Sequence, residues 1–256
     1  MSKRLEGKAA VVTGSTSGIG ETIARVMARE GAAVVVSGRR GERGEAVVER
    51  IRAEGGQAVF HQADLADAAT CAPLCRRAVE EFGGLDILVN NAAIFPLIKF
   101  EETTPEQWDR VFSLNAKAAF FCAQAATPLL RQRGGGCIVN IGTSHPFIAG
   151  DGQFVYGVSK GALYTLTRKL ALLLARDRIR VNWITVGWVL TEQERQLREV
   201  PEDDAEWIEA HRDRNPMRQF TEPEDIAEAC LYLCSESGAR VTGTALAASS
   251  GMGITM

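Results

Sequence analysis

The segment YGVSK places Tyr156 four residues ahead of Lys160. On a helix, positions i and i+4 share one face, so the ammonium lies beside the phenol. A free phenol is a poor base at neutral pH, and moving its pKa from about 10 toward 7 takes roughly 4 kcal/mol. One cation at about 4 Å supplies roughly 4 kcal/mol at an effective dielectric of 20. Such a pair can exchange a proton with a substrate oxygen. Taken alone, Tyr-x-x-x-Lys describes a solvated surface pair just as well, so its surroundings decide what it does.

A second stretch with chemical content is TGSTSGIG, Thr13 to Gly20. It follows the β-branched run AAVV and opens a helical pattern. Gly14, Gly18 and Gly20 permit a tight turn and let backbone N–H groups approach a pyrophosphate at a helix N-terminus. Ser15, Ser17 and Ile19 complete the loop. The strand before and the helix after are the context that makes this glycine pattern a dinucleotide cradle. The next strand ends VVVSGRR. Where NAD binders carry an acid for the ribose hydroxyls there is Gly38, followed by Arg39 and Arg40. A guanidinium pairs with phosphate through two parallel bonds, which favours NADP over NAD.

These groups need a frame to hold them. Strand-like runs at 9–14, 32–38, 57–62, 85–92, 137–143, 179–185 and 243–249 alternate with helical patterns near 18–30, 41–54, 67–82, 105–131, 152–175 and 222–236. That alternation predicts an α/β fold: a doubly wound parallel sheet covered by helices on both faces. No linker or repeat divides the chain, so 1–256 reads as one dinucleotide-binding and catalytic domain. The charged stretch 191–217 breaks the rhythm after a strand's carboxyl end, where an insertion is placed to act as a substrate lid.

Composition narrows the class. A net charge of -3 gives no basic face for nucleic acid. No apolar run approaches the roughly 20 residues of a membrane span, nor is there a signal-peptide core. The reading is a cytoplasmic protein with a small-molecule substrate. Cys71/Cys75 and Cys230/Cys234 have i,i+4 spacing, but no further ligands complete a metal site. These cysteines read as small buried hydrophobes.

TGSTSGIG, NNAA (90–93), Asn115 in FSLNAKAAF, and YGVSK stand in the order and spacing of the classical short-chain dehydrogenase/reductase family. The chain resembles that family over essentially its whole length. The resemblance implies a single Rossmann-like domain with a seven-stranded sheet, hydride transfer with a nicotinamide cofactor, and usually a dimer or homotetramer. It assigns Thr13 and the glycine loop to the cofactor. Asp64, with Leu65 beside it, goes to the adenine, Asn91 and Ala92 to the strand behind the cofactor, and Val189 and Thr191 to the nicotinamide amide. It makes Asn115 a water-holding proton relay and Tyr156 and Lys160 the catalytic pair. The family's serine thirteen residues before the tyrosine is Thr143 here, with Ser144 as the alternative hydroxyl donor. Its Pro-Gly after the sixth strand is Val186-Gly187, and its Asp-Gly-Gly near the C-terminus is SSG (249–251).

The expected activity is interconversion of a secondary alcohol and a ketone on a small metabolite such as a sugar, polyol or cyclic alcohol. His145, Gln153 and Trp188 flank the expected substrate pocket. Two alternatives compete: a 3-oxoacyl thioester reductase, against which the acidic segment 192–209 argues, and a nucleotide-sensing regulator, which is expected to lack Tyr156 or Lys160. The stripe Phe112, Ala116, Ala119, Phe120 is an expected dimer surface by resemblance.

Overall fold

Four buried residues, Ala9–Val12, form β1 near the centre of a seven-stranded sheet. The structure, a computed structural model, describes residues 3–148, 153–200 and 205–253. The other strands are β2 (Ala33–Gly38), β3 (Gln57–Gln62), β4 (Ile87–Asn90), β5 (Gly136–Ile141), β6 (Ile179–Val186) and β7 (Ala245–Ala248). Their order is β3-β2-β1-β4-β5-β6-β7, and every pairing is parallel. Parallel pairing demands helical crossovers, which cover both faces and make the strands apolar on both sides.

The helices are α1 (Gly18–Arg29), α2 (Gly41–Ala53), α3 (Cys71–Phe82), α4 (Pro105–Phe112), α5 (Ala118–Gln132), α6 (Phe154–Leu174), α7 (Glu192–Leu197), α8 (Ala205–Arg212) and α9 (Pro223–Cys234). Alternate strand residues point to opposite layers. Val12, Val34, Val89 and Val139 cluster with Ile23 and Met27 of α1, Ile51 of α2 and Leu231 of α9. Val11, Val35, Leu88 and Ile138 cluster instead with Leu74 of α3, Leu130 of α5 and Leu174 of α6. Cutting Leu88, fully buried, to alanine is expected to cost about 2–5 kcal/mol. The six cysteines are free and buried, packed in these layers. No helix among the described residues is long and apolar enough to cross a membrane.

Three expectations change. The pattern 105–131 is not one helix: α4 passes into a π-helical turn, Ser113–Lys117, before α5 begins. The pattern 67–82 opens as a 3-10 turn at Ala68–Thr70, capped by the Asp67 carboxylate. The strand expected over 85–92 ends at Asn90, and the N–H groups of Asn91 and Ala92 bond instead to the Thr13 hydroxyl.

Strand order reverses at β1, because the chain leaves β3 at one edge and returns at β4 on the far side of β1. Ligands bind at such a switch point, outside the carboxyl ends of the strands. The glycine loop, the arginines after β2 and the Tyr–Lys pair all gather there.

Candidate active site

A cleft of about 410 Å³ opens at the switch point, lined by Gly14, Ser17, Gly18, Ile19, Gly20, Arg39, Arg40, Asp64, Leu65, Asn91, Ala92, Thr143, Tyr156, Lys160 and Thr191 among others. Its size is that of a small-molecule site. Gly14 and Gly18 have φ of 62° and 56°, the left-handed region that glycine enters without a Cβ penalty. A Cβ on Gly20 would lie 2.4 Å from both Asn91 Nδ2 and Gly14 O. Asn91 locks this turn, donating to the carbonyls of Thr13 and Gly14 at 3.0 Å each. Thr13 Oγ1 in turn accepts from the backbone N–H groups of Asn91 and Ala92. At the head of α1, Ser17 makes no side-chain cap, so first-turn N–H groups are left for an anion. The loop therefore fits a dinucleotide pyrophosphate.

At the far end of the cleft β2 stops at Gly38, where a Cβ would meet Thr16 Cγ2 at 2.6 Å. A side chain here would require Thr16 to give way. Arg39 and Arg40 line the cleft as expected, joined by Arg43, which the sequence reading overlooked. Its spacing from Arg39 and Arg40, one helical turn along, was a usable signal.

Lys160 Nζ donates to the Ile141 carbonyl at 2.8 Å and lies 5.8 Å from the Tyr156 ring centroid. Lys160 is buried, and burial lowers its pKa to about 8. Tyr156 is partly exposed toward the cleft, yet burial of its hydroxyl raises the phenol pKa, and hydrogen bonding with Thr143 opposes that rise. The match of magnitudes drawn from sequence is thus overturned. It counted the attraction of the ammonium and left out the cost of desolvating a phenolate. Phe95 and His145 hold the ring edge-on, at centroid distances of 6.0 and 5.3 Å.

Asn115 sits in the π-helical turn and is buried. Such turns often mark functional sites because they re-aim one side chain. Its amide donates to Ile94 O at 2.8 Å and Ser159 Oγ at 3.0 Å, and its Oδ1 accepts from Ile94 N–H at 2.9 Å. Ser159, absent from the sequence reading, donates to Tyr156 O at 2.7 Å. Asn115 therefore ties the chain beyond β4 to α6 rather than touching Lys160 through any direct bond.

Thr143 lines the cleft, and its Oγ1 is 2.9 Å from His145 Nδ1. Ser144 is buried outside the lining, where a Cβ on Gly253 would press against its own Cβ. Ser15 is also withdrawn: its hydroxyl donates to Val12 O and accepts from Ser37 N–H, stitching β1 to β2. Val189 packs in the core rather than the cleft, and its carbonyl accepts from Thr191 N–H. Thr191 lines the cleft while its hydroxyl caps α7 through Glu194 N–H.

The charged stretch forms α7 and α8, with α7 contributing Glu192, Gln193 and Gln196 to the cleft's rim. Residues 201–204 of the expected lid lie outside the described residues. Trp188 does not line the cleft. It donates to Glu194 Oε1 at 2.8 Å and packs edge-on against Trp207 and Phe220. Glu194, buried, also pairs with Arg198. Both charges reach the His145 region, where burial foremost, then Arg198, lowers the imidazole pKa. The sequence reading missed this pair, although its i,i+4 spacing was a usable local signal. The expected dimer stripe divides: Ala119 packs on Leu163 and Trp183, whereas Phe120 is exposed.

A family model described as enoyl-(acyl carrier protein) reductase matches residues 14–253. The D-beta-hydroxybutyrate dehydrogenase of Cupriavidus necator is 35% identical over 246 residues, covering 93% of this chain and 95% of that protein. Dehydrogenase/reductase SDR family member 4 of Homo sapiens is 37% identical over 240 residues, covering 93% and 85%. A solved 7 alpha-hydroxysteroid dehydrogenase, complexed with NADH and 7-oxo glycochenodeoxycholic acid, superposes with a TM-score of 0.90 at 34% identity, covering 100% of this chain and 97% of that one. Sequence and fold thus agree over nearly the whole length, and the chain belongs to the short-chain dehydrogenase/reductase family of oxidoreductases.

Proposed function

We propose that the protein is an NADP-preferring oxidoreductase that interconverts a secondary alcohol and a ketone on a small metabolite such as a sugar, polyol or cyclic alcohol. Tyr156 serves as general acid/base. The observation that carries this reading is that Tyr156, Lys160 and Thr143 open into the same cleft as the glycine loop. The dehydrogenase names of the relatives support the alcohol–ketone chemistry.

A bound nicotinamide dinucleotide supplies the hydride donor or acceptor and, when oxidised, a positive charge. The chain's residues do the rest. Tyr156 gives its phenolic proton to the carbonyl oxygen in reduction and takes the alcohol proton in oxidation. The raised phenol pKa keeps that proton in place at neutral pH, which suits the acid role. Lys160, fixed by Ile141 O, keeps further N–H donors for the cofactor ribose and holds a positive charge near the phenol. The Thr143 hydroxyl stands beside the same oxygen. Asn115 fixes the wall formed by Ile94 and Phe95 and offers the proton a way past Lys160 to water. Arg39, Arg40 and Arg43 form the cationic end of the cleft, which favours a 2′-phosphate.

The segment 191–217 acts as the substrate lid, and the exposed Phe120, Leu172 and Leu173 suit burial in a homo-oligomer. The free buried thiols suit a reducing compartment such as the cytoplasm. The test is a panel of polyols, cyclic alcohols, 3-hydroxy acids and acyl thioesters, with their ketones, assayed by nicotinamide absorbance with NADP(H) and NAD(H). Turnover of a secondary alcohol or its ketone supports the reading. Turnover confined to 3-oxoacyl thioesters selects the thioester reductase, and tight cofactor binding without any turnover selects the sensor.

A further inference from the structure

We propose that Trp183 is a positioning residue: its indole clamps both ends of the segment 142–147 and thereby holds the Thr143 hydroxyl at the cleft. The proposal deepens the reading of Thr143 as the hydroxyl beside the reacting oxygen and rests on it.

Trp183 lies on β6 opposite Asn140 of β5, and is fully buried in a cluster with Ala119, Leu163 and Tyr164. Its Nε1 donates to Thr185 Oγ1 at 2.9 Å, two residues further along the strand. Side chains two apart share one face of a strand. The bond therefore lays the indole along β6 toward its carboxyl end, where the cleft opens. The neighbouring β5 stops there at Ile141, and Gly142 follows. A Cβ on Gly142 would overlap Cε2 and Cζ2 of the indole. Glycine is the residue that lets the backbone lie against the ring. A very large side chain on one strand and none on the next are matched in shape, as close packing requires.

Phe147, at the far end of the segment, meets the same indole edge-on at a centroid distance of 6.5 Å. Tyr164 of α6 braces both rings, at 4.9 Å from Phe147 and 5.4 Å from Trp183. Such edge-on pairs are a favoured aromatic arrangement. Between the two anchors stand Thr143 and His145. Thr143 Oγ1 is 2.9 Å from His145 Nδ1, and the His145 ring stands edge-on to Tyr156 at 5.3 Å.

Hydrogen bonds pin the chain on either side of this stretch. Gly142 N–H donates to Ile184 O at 2.8 Å, Lys160 Nζ donates to Ile141 O, and Gln153 Nε2 donates to Phe95 O at 2.9 Å. Within the segment, the Phe147 N–H donates to Ser144 O at 2.9 Å. That internal bond fixes the shape of the turn, and the indole gives the turn its seat. Trp183 does not line the cleft, so it acts through Thr143 and not on the substrate.

The test begins without substrate. The full chain is labelled with threonine carrying a 13C methyl group, and methyl order parameters are measured. Thr143→Ser removes one methyl and so identifies the Thr143 signal. Trp183→Leu should lower the Thr143 order parameter by about 0.2 or more and leave that of Thr16, on the glycine loop, unchanged. Gly142→Ala, which pushes the segment off an intact indole, should do the same, so the result does not hang on one variant folding. A Thr143 methyl as rigid in both variants as in the unaltered chain overturns the proposal. The second arm uses the alcohol or ketone that the chain turns over. Trp183→Leu should lower kcat by about 10- to 100-fold with NADPH affinity unchanged. In a Thr143→Val background the same replacement should cost less than about twofold. Equal losses in both backgrounds would mean that Trp183 does not act through Thr143, and overturn the proposal. Absence of turnover in the unaltered chain refutes the enzymatic reading alone, because the methyl measurement still judges the clamp.

Discussion

Arg43 reaches across the mouth of the cleft to Glu192, its two terminal nitrogens meeting the two carboxylate oxygens at 2.8 and 3.1 Å. The pair joins the first turn of α2, beside the arginines that follow β2, to the first residue of α7. Arg43, then Arg40 and Gln196, stabilise the Glu192 carboxylate. A carboxylate thus occupies the cationic ground assigned above to a 2′-phosphate.

Glu192→Gln is therefore expected to tighten NADPH binding by up to about fivefold and to leave NADH nearly unchanged, since an exposed pair is worth little and only the phosphate competes for it. Arg43→Ala should weaken NADPH selectively. Fluorescence titration of both cofactors checks this. Equal changes for both would mean that the pair merely restrains the lid.

Gly38 sets up a second cofactor prediction. Gly38→Asp alone is expected to lose stability without a clean switch to NADH, because its Cβ meets Thr16 Cγ2 at 2.6 Å. Adding Thr16→Ala removes the obstructing methyl and hydroxyl, and the double variant should favour NADH. Thermal midpoints together with the ratio of kcat/KM for the two cofactors decide the matter; a stable single variant would contradict the crowding argument.

Tyr156→Phe deletes the proton carrier and keeps the ring against Phe95 and His145. Turnover should fall by about 100-fold or more, with cofactor affinity nearly intact. Retained activity would move the acid/base role elsewhere. Ser159→Ala removes the link from Asn115 to the Tyr156 carbonyl. It should lower kcat more modestly, through loss of alignment.

Lys160 makes stability and activity oppose each other. Its pKa falls from 10.5 unfolded to about 8 folded, so between these values the unfolded chain binds more protons and stability rises with pH. Below pH 8 the buried ammonium costs about 3 kcal/mol, at 1.36 per unit. Lys160→Met relieves that cost and strands the Ile141 carbonyl, worth about 1–3 kcal/mol. The variant should be inactive yet about 1 kcal/mol more stable at pH 7, with the advantage shrinking toward pH 10. Denaturant melts at both pH values test this. A gain independent of pH would mean that packing, not charge burial, is responsible.

The order of strands and helices, the glycine loop and the i,i+4 placement of Tyr156 and Lys160 were legible because each depends on short-range pattern, whereas Asn115 was named only through the family resemblance. Period-two and period-3.6 burial, a turn that needs glycine, and an i,i+4 face all lie within a few residues of chain. What sequence alone settled, then, was which groups are available and on which elements they ride. The tertiary structure decided where those groups point and what they meet. It withdrew Ser15, Ser144 and Val189 from the cleft, broke the long helix at Asn115, and set Gly38 against Thr16. It brought Arg43 to Glu192 across 149 residues and Gln153 to Phe95 across 58. It also turned the phenol pKa upward, because desolvation sums over every neighbour that excludes water. Contacts between distant segments and the loss of solvent exist only once the chain has packed, and no local pattern encodes them.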